Sequence, residues 1–448
     1  MHVVVIGAGE VGSYVAEILS REEGHEVHII DIDQEKLSDL GGDMEVLTVC
    51  GSGTNPDTLR KAGVERADLL VAVTANDEVN LIASMLAKSI GVKQSIVRIE
   101  AAELRGEAGE EVRTACGADL IIDPDAETAQ KVLELLDFAG ADEVARMVRG
   151  EVIVIGARLP AHAPLVGRTL GDIAEEYEPD WDFMVAAIGR GDETIIPRKD
   201  FRLEINDHVR VVAKRRARRL VIELLGLDTD KKSRVAILGG GRTAELLAHG
   251  LADRSVQVEI VERDPARARE LAEALDDVSV HRGEITDAKL LDEIDIGRFG
   301  MVAALTGEDD ANILACLFAK RAGAGETIAT VHRLELLEIL RSAGVDVALS
   351  PRTVTANGVL RFVRGGIAAV ATFLDGDVEV LELEVQSGSP ADGELVRDLR
   401  LPKDALIAAA VRDGKPQIIR GRSRLRGRDQ VVVVAMPAAL DAVRSALG

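Results

Sequence analysis

The chain repeats itself, and the repeat decides what it can fold into. HVVVIGAGEVGSYVAEIL, starting at His2, is matched by RVAILGGGRTAELLAHGL, starting at Arg234. Gly7 and Gly239 are 239 − 7 = 232 positions apart, and the same step pairs Gly51 with Gly283, Thr74 with Thr306, Asp77 with Asp309 and Asn80 with Asn312. Asp31 meets Glu262 one position out of step. A repeat this long holds a whole domain, so the fold of one copy is the fold of the other. With 448 residues there is room for several domains, at roughly 100–200 residues each.

Within each copy, short apolar runs alternate with helical patterns. In the first, His2–Ile6 reads as a strand, Val11–Ser20 as a helix, Val27–Ile30 as a strand and Asp57–Ala62 as a short helix. Leu69–Val73 is a strand, Glu78–Lys88 a helix and Ser95–Ile99 a strand. This βαβα order predicts a parallel, doubly wound sheet. Hydrophobic residues make up 47% of the chain but aromatics only 2%, an aliphatic palette suited to parallel strands buried on both faces. Each copy is expected to close on a capped helix, Asp125–Leu136 after Asp123-Pro124 and Arg352–Val363 after Ser350-Pro351. A smaller, strand-rich module follows each copy, with Asp207 aligned on Asp429. The expected fold is therefore α/β: two Rossmann-like doubly wound parallel-sheet domains, each followed by a small α+β domain. The expected boundaries are 1–137, 138–227, 233–365 and 366–448, with a polar linker at 227–233.

The first glycine loop, Gly7-Ala8-Gly9-Glu10-Val11-Gly12, follows a strand and opens a helix, and Asp31 ends the next strand. That context is what a dinucleotide fingerprint requires. Gly7 permits the turn, Gly9 lets a pyrophosphate approach the backbone, and Gly12 lets the helix pack on the strand. The helix amino end faces the phosphates, and Asp31 accepts from ribose hydroxyls. A carboxylate there repels a 2′-phosphate and so favours NAD(H) over NADP(H), but ATP and ADP satisfy it equally well. In the second loop Gly239, Gly240 and Gly241 precede Arg242, Thr243 and Ala244, and Glu262 takes the acidic position. Arg242 reads either as a phosphate contact or as a solvent-facing helix residue. Arg98, at a strand's carboxyl end, reads either as a phosphate partner or as half of an ion pair; its counterpart is Thr330.

Charge narrows the partners. A net charge of −23 repels nucleic-acid phosphates and anionic lipid, so neither is expected as a direct ligand. Of 54 basic residues 13 are Lys, leaving 54 − 13 = 41 Arg, which fits either a protein of high-salt surroundings or an ordinary acidic one from a GC-rich genome. The basic run Lys214–Arg219 reads as the start of a solvated helix, with a contact to an acidic partner as the other reading. The three cysteines lie far apart and the eight histidines follow no HExxH spacing, so no disulfide and no metal site is expected. No apolar run is long enough to span a membrane, and the first strand leaves no room for a leader; a cytoplasmic protein is expected. The small modules offer no repeated acid/base pair, which argues against an enzyme.

The series GAGEVG, IIDID, CGSGT, LLVAVTANDEVNL and IVRI resembles the regulator-of-K⁺-conductance (RCK, or KTN) domain, and the small modules resemble its C-terminal companion. Two such pairs in one chain are similar to the TrkA-type regulatory subunits of potassium uptake. The resemblance covers essentially the whole chain. It implies a non-enzymatic gate controller, a homo-oligomeric ring, usually a tetramer, at the inner face of the membrane under a TrkH-type potassium-translocating subunit. It implies regulatory NAD(H) or ATP/ADP held by Gly7, Ala8, Gly9, Glu10, Val11, Gly12, Asp31, Ile32, Gly51, Thr74, Ala75, Asn76, Asp77 and Arg98. In the second copy Gly239, Gly241, Arg242, Thr243, Glu262 and Thr306 correspond. Ala244, Thr330 and Cys50-Gly51-Ser52 depart from the family pattern. The competing readings are an NAD-dependent oxidoreductase and the regulatory part of another cation channel or antiporter.

Overall fold

The computed structural model describes residues 1–448 except 22–24, 41–44, 102–103, 105, 139, 178–180, 192, 228–233, 253, 255, 364–366 and 373–377. The expected linker, apart from Leu227, and the expected start of the last domain at 366 thus lie outside the described residues.

The first copy runs β1 (His2–Ile6), α1 (Glu10–Arg21), β2 (Glu26–Asp31), α2 (Gln34–Leu40), β3 (Val46–Cys50) and α3 (Pro56–Lys61). It continues through β4 (Leu69–Ala72), α4 (Asp77–Ile90), β5 (Gln94–Arg98), α5 (Gly106–Cys116), β6 (Leu120–Ile122) and α6 (Pro124–Leu136). The sheet order is β3-β2-β1-β4-β5-β6, all parallel. Order reverses between β1 and β4, which is where an open α/β sheet forms its ligand crevice. Every residue of β1 is buried, because helices cover both faces. On α1, Val11, Val15 and Leu19 recur every four positions and are buried, which seats that helix on the sheet.

Next come β7 (Glu143–Met147), β8 (Val152–Arg158), α7 (Leu170–Glu176), β9 (Phe183–Arg190), β10 (Glu193–Ile195), β11 (His208–Lys214) and α8 (Arg218–Leu224). They form an antiparallel sheet ordered β10-β9-β11-β8-β7. Strand β7 has no counterpart in the sequence reading. The basic run splits: Lys214 ends β11, while Arg218 starts α8 with its guanidinium 4.5 Å over the Phe138 ring.

The second copy is β12 (Arg234–Leu238), α9 (Arg242–Leu251), β13 (Gln257–Glu262), α10 (Pro265–Ala274), β14 (Val278–Arg282) and α11 (Ala288–Glu293). Then follow β15 (Met301–Ala304), α12 (Asp309–Ala322), β16 (Glu326–Thr330), α13 (Leu336–Ala343), β17 (Val347–Leu349) and α14 (Pro351–Val363). Its sheet repeats the first, β14-β13-β12-β15-β16-β17. The last module holds β18 (Ile367–Thr372), β19 (Glu379–Glu384), β20 (Ala405–Arg412), β21 (Lys415–Ile418), β22 (Gln430–Ala435) and α15 (Leu440–Leu447), ordered β18-β19-β22-β20-β21.

The chain forms two compact units. One holds Met1–Gln130 with Val331–Leu334 and Leu349–Val363. In it α14, expected to close its own copy, packs instead on α1 of the first copy. Ala356 and Val359 are fully buried there beside Val11, Val15 and Leu19, with Phe362 and Val363 at the margin. The other unit holds Lys131–Thr330, Glu335–Ala348 and Arg364–Gly448. There the end of α6 lies on α9: a Cβ on Gly250 would come within 2.4 Å of Leu133 Cδ1. Asp137, just past α6, pairs with Arg254 at 2.9 Å. In the same unit the two small sheets share an apolar core that includes Val152, Val154, Val212, Val380, Val432 and Val434. Glu143 and Glu382 are among the acids buried in these sheets. Glu143 accepts from Arg210 Nε and Nη2, at 2.8 and 3.0 Å, and Glu382, whose carboxyl burial pushes up, accepts from the Val148 N–H at 2.6 Å.

Candidate functional site

The first crevice is shaped by contacts that only small residues tolerate. Gly7 has φ +103°, and a Cβ there would strike the backbone of Thr74 at 3.1 Å. A Cβ on Gly12 would lie 1.8 Å from the Gly7 carbonyl oxygen, so α1 can approach its own loop only without a side chain. Gly9 is different: a Cβ there meets nothing within 4 Å. The loop is tight where it packs and open where a ligand would lie. Glu10, Val11 and Gly12 form the first turn of α1, whose N–H groups have no partner within the helix. A phosphate fits that cradle.

Asp31 holds the loop in place. Its Oδ2 accepts from Ala8 N–H at 2.6 Å and its Oδ1 from Asp33 N–H at 2.9 Å. A carboxylate has about four acceptor positions, so two remain for hydroxyls. Ile32 is exposed beside it, as are Ala75 and Asn76 across the crevice. Gly51 continues from β3 with no room for a Cβ, which would lie 2.7 Å from Thr58 Oγ1.

The far wall depends on a residue whose part in the crevice the sequence did not reveal. Asn80 is fully buried. Its Oδ1 accepts from Thr74 N–H at 2.9 Å and Thr74 Oγ1–H at 2.7 Å. Its amide donates to the carbonyls of Thr74 and Arg98, both at 3.0 Å. Asn80 thereby ties the carboxyl ends of β4 and β5 together. The signal was visible, since Asn80 pairs with Asn312 across the repeat, but not its job. Asp77 accepts from the N–H groups of Glu100 and Ala101, at 3.0 and 2.7 Å. Arg98 lies on Glu100, with Nε donating at 2.9 Å. Glu10 is paired with Arg352 at the start of α14, Nε to Oε2 at 2.7 Å, so the packed-in helix reaches the lip of the loop.

The second crevice reuses the frame. Gly239 has φ +104° and Gly241 has open space. Glu262 accepts from Gly240 N–H at 2.6 Å and Asp264 N–H at 2.7 Å. Asn312 bonds Thr306 N–H at 3.1 Å and the Thr330 carbonyl at 2.9 Å. Arg242 and Thr243 are half-buried at the start of α9. The lip differs. Arg263 Nη1 lies 2.7 Å from Glu308 Oε1, where the first copy has Ile32 and Asn76. That bond holds the Arg263 guanidinium above its ordinary value. Arg267 donates to the Gly240 carbonyl at 2.9 Å and to Glu245 at 2.5 Å; burial works against its charge, yet its bonds to Glu245 and Glu270 hold its pKa up. Neither arginine was singled out in the sequence, because their partners lie far along the chain.

Residues 3–124 and 235–351 match the TrkA-N domain, and 154–226 and 380–448 match the TrkA-C domain. The Trk system potassium uptake protein TrkA of Halomonas elongata is 34% identical over 440 residues, 97% of this chain and 93% of that protein. The TrkA homolog of Archaeoglobus fulgidus is 34% identical over 435 residues, 97% of each. Among solved structures, the GsuK RCK domain matches with TM-score 0.63 at 17% identity, covering 100% of this chain and 94% of that one. The GsuK channel bound to NAD matches with TM-score 0.63 at 16% identity, covering 100% and 78%. At those identities the likeness is one of fold.

Proposed function

The chain belongs to the TrkA family of Trk-system potassium uptake proteins, and from that premise we propose that it is a nucleotide-sensing regulatory subunit of potassium transport. In this reading it acts in the cytoplasm, as a homo-oligomeric ring with a tetramer favoured. It sits at the inner face of the membrane by way of a separate TrkH-type translocating subunit. Among the described residues no helix is long and apolar enough to cross a membrane. The ligand is NAD(H) or ATP/ADP, and the chain catalyses nothing.

One observation carries the reading. In each copy a carboxylate at the end of the second strand pins a glycine loop whose middle glycine, Gly9 or Gly241, faces open space at a helix amino end. A bound nucleotide supplies phosphate charge at that spot. The backbone at Gly9 and the first turn of α1 hold the phosphates, and the free acceptor positions of Asp31 orient the ribose. Glu10 and Arg352 form the lip. Negative charge beside that pair repels Glu10 and attracts Arg352, which biases the seating of α14 on α1. A ligand gates only through such a difference between conformations.

The test is calorimetric titration of the full chain with NADH, NAD, ATP and ADP, beside Gly9→Asp and Gly241→Asp. Both positions have space for the new side chain, so its charge acts on the ligand rather than on the fold. Separate loss of one site in each variant is expected. Absence of binding by the unaltered protein sinks the sensor reading, and nicotinamide turnover with a small substrate would move it to the oxidoreductases.

A further inference from the structure

At the other end of β1 from the glycine loop, the first sheet gathers three side chains that the sequence left scattered. His2 lies on β1, and Glu26 and His28 lie on β2. The register His2↔Glu26 and Val4↔His28 puts all three on one face of the sheet. His2 is 7% exposed and His28 5%. Their rings meet edge to face with centroids 4.5 Å apart. One ligand atom from each of the three groups lies within 4.8 Å of the other two.

Among the described residues the buried Nδ1 atoms of both rings have no hydrogen-bond partner, while the Glu26 carboxylate is reached by Arg66 and His28. His2 Nε2 is 3.2 Å from the Ala62 carbonyl oxygen. A carbonyl only accepts, so Nε2 carries the ring proton. His2 Nδ1 is then a bare lone pair. It is buried, takes no hydrogen bond, and stands 3.4 Å from Glu26 Oε2, which is also an acceptor. Glu26 Oε1 stands 3.1 Å from His28 Nε2. A small cation between the three groups satisfies His2 Nδ1, His28 Nε2 and the carboxylate together. The Ala62 carbonyl already supplies the outer bond that fixes the ring of a metal-binding histidine.

The second copy answers the same need with a cation of its own. Arg234 stands in the place of His2, Gln257 in that of Glu26 and Glu259 in that of His28. Arg234 Nη2 donates to Glu259 Oε1 at 2.8 Å, and His281 Nε2 lies 3.0 Å from Glu259 Oε2. There the guanidinium comes from the strand itself and the acid it serves is 6% exposed, whereas in the first copy Arg66 reaches Glu26 from the surface and leaves His2 Nδ1 unserved.

We propose that His2, Glu26 and His28 form a divalent-metal site, present in the first copy alone and apart from the nucleotide crevice. Two imidazoles and one carboxylate suit zinc, whereas calcium and magnesium prefer all-oxygen sets. The fourth position goes to water on the side of Glu26, whose side chain is 49% exposed. Arg66, now 2.9 Å from Glu26 Oε1 and 65% exposed, swings out when the metal enters; such a surface pair resists little.

The test uses the full chain, stripped of metal and titrated with zinc chloride by calorimetry and with cobalt chloride by visible absorption. One saturable equivalent is expected, with cobalt ligand-field bands and a zinc-dependent rise in Tm. Glu26→Gln changes a half-exposed group and keeps both rings, so its fold is secure; it should weaken zinc by at least about tenfold and abolish the Tm rise. His28→Gln should do the same, and His281→Gln should bind as the unaltered chain does. The proposal falls if the unaltered chain binds no stoichiometric zinc, if Glu26→Gln and His28→Gln both titrate normally, or if His281→Gln removes the site. NADH titration of Glu26→Gln should be unchanged, so the metal site and the nucleotide reading stand or fall separately.

Discussion

The two copies share a frame and differ at its edges. Asp31 and Glu262 pin their loops in the same way, and Asn80 and Asn312 brace the same pair of strand ends. Around that frame the charges are arranged differently. The first crevice has Ile32 and Asn76 exposed at its lip and takes Arg352 from α14, while an ion pair spans the second lip. The small modules part in the same manner: a buried Arg210–Glu143 pair lies in the first sheet, and Val432 occupies the aligned position in the second. What the copies keep is backbone positioning. What they vary is where charge sits, and charge is what tells one ligand, or one occupancy, from another.

The largest effect should come from making the small modules alike. Arg210→Met deprives Glu143 of its guanidinium in a fully buried setting, and such a loss costs about 3–5 kcal/mol. Thermal denaturation of the full chain should show it. Adding Glu143→Leu should recover most of the stability, since an apolar pair of similar volume often replaces a buried ion pair without loss. If the double variant stays as unstable as the single one, the pair does more than fill space, and the comparison with Val432 fails.

A smaller effect should separate the glycine loops. Gly12→Ala puts a methyl 1.8 Å from the Gly7 carbonyl oxygen, so α1 must shift. Overpacking of this kind costs about 1–3 kcal/mol and should weaken nucleotide binding at the first site only. Ala244, at the same place in the second copy, carries its methyl fully buried. The reverse change, Ala244→Gly, should cost no more than about 1 kcal/mol, the ordinary helix penalty of glycine. Equal losses in the two copies would mean that α1 and α9 approach their loops alike.

Much of this was legible in the sequence, and the reasons differ by residue. The strand His2–Ile6 and the turn at Gly7 are local: five buried positions, four of them aliphatic, and a residue at positive φ leave one solution. The doubly wound order follows from alternation and connection rules. The seating of α14 on α1 was not legible, because α6 and α14 both open on a polar residue followed by proline, and pattern alone does not say which copy each one covers. Nor was the work of Asp77, which satisfies backbone N–H groups just beyond β5. Arg98 was open between two readings, and its guanidinium lies on Glu100, two residues on. The histidine site was hidden for another reason. His2 and His28 are far apart along the chain and adjacent only once β1 and β2 pair.

The smallest expected effect on stability is also the one that bears most directly on the two lips. Arg263 and Glu308 are 60% and 57% exposed, so their pair is worth no more than about 0.5 kcal/mol and weakens with salt. Arg263→Ile with Glu308→Asn gives the second lip the residues of the first. Thermal stability should barely move, but the second crevice would lose a bond spanning its mouth and a carboxylate facing incoming phosphate. Nucleotide affinity at the second site, followed in a Gly9→Asp background to silence the first, should rise, and its salt dependence should approach that of the first site. Unchanged affinity would place the difference between the copies deeper, at Arg267 on the Gly240 carbonyl or at Thr330 on the strand end. A fall in affinity would make Arg263 a phosphate partner whose pairing with Glu308 gives way when the nucleotide arrives.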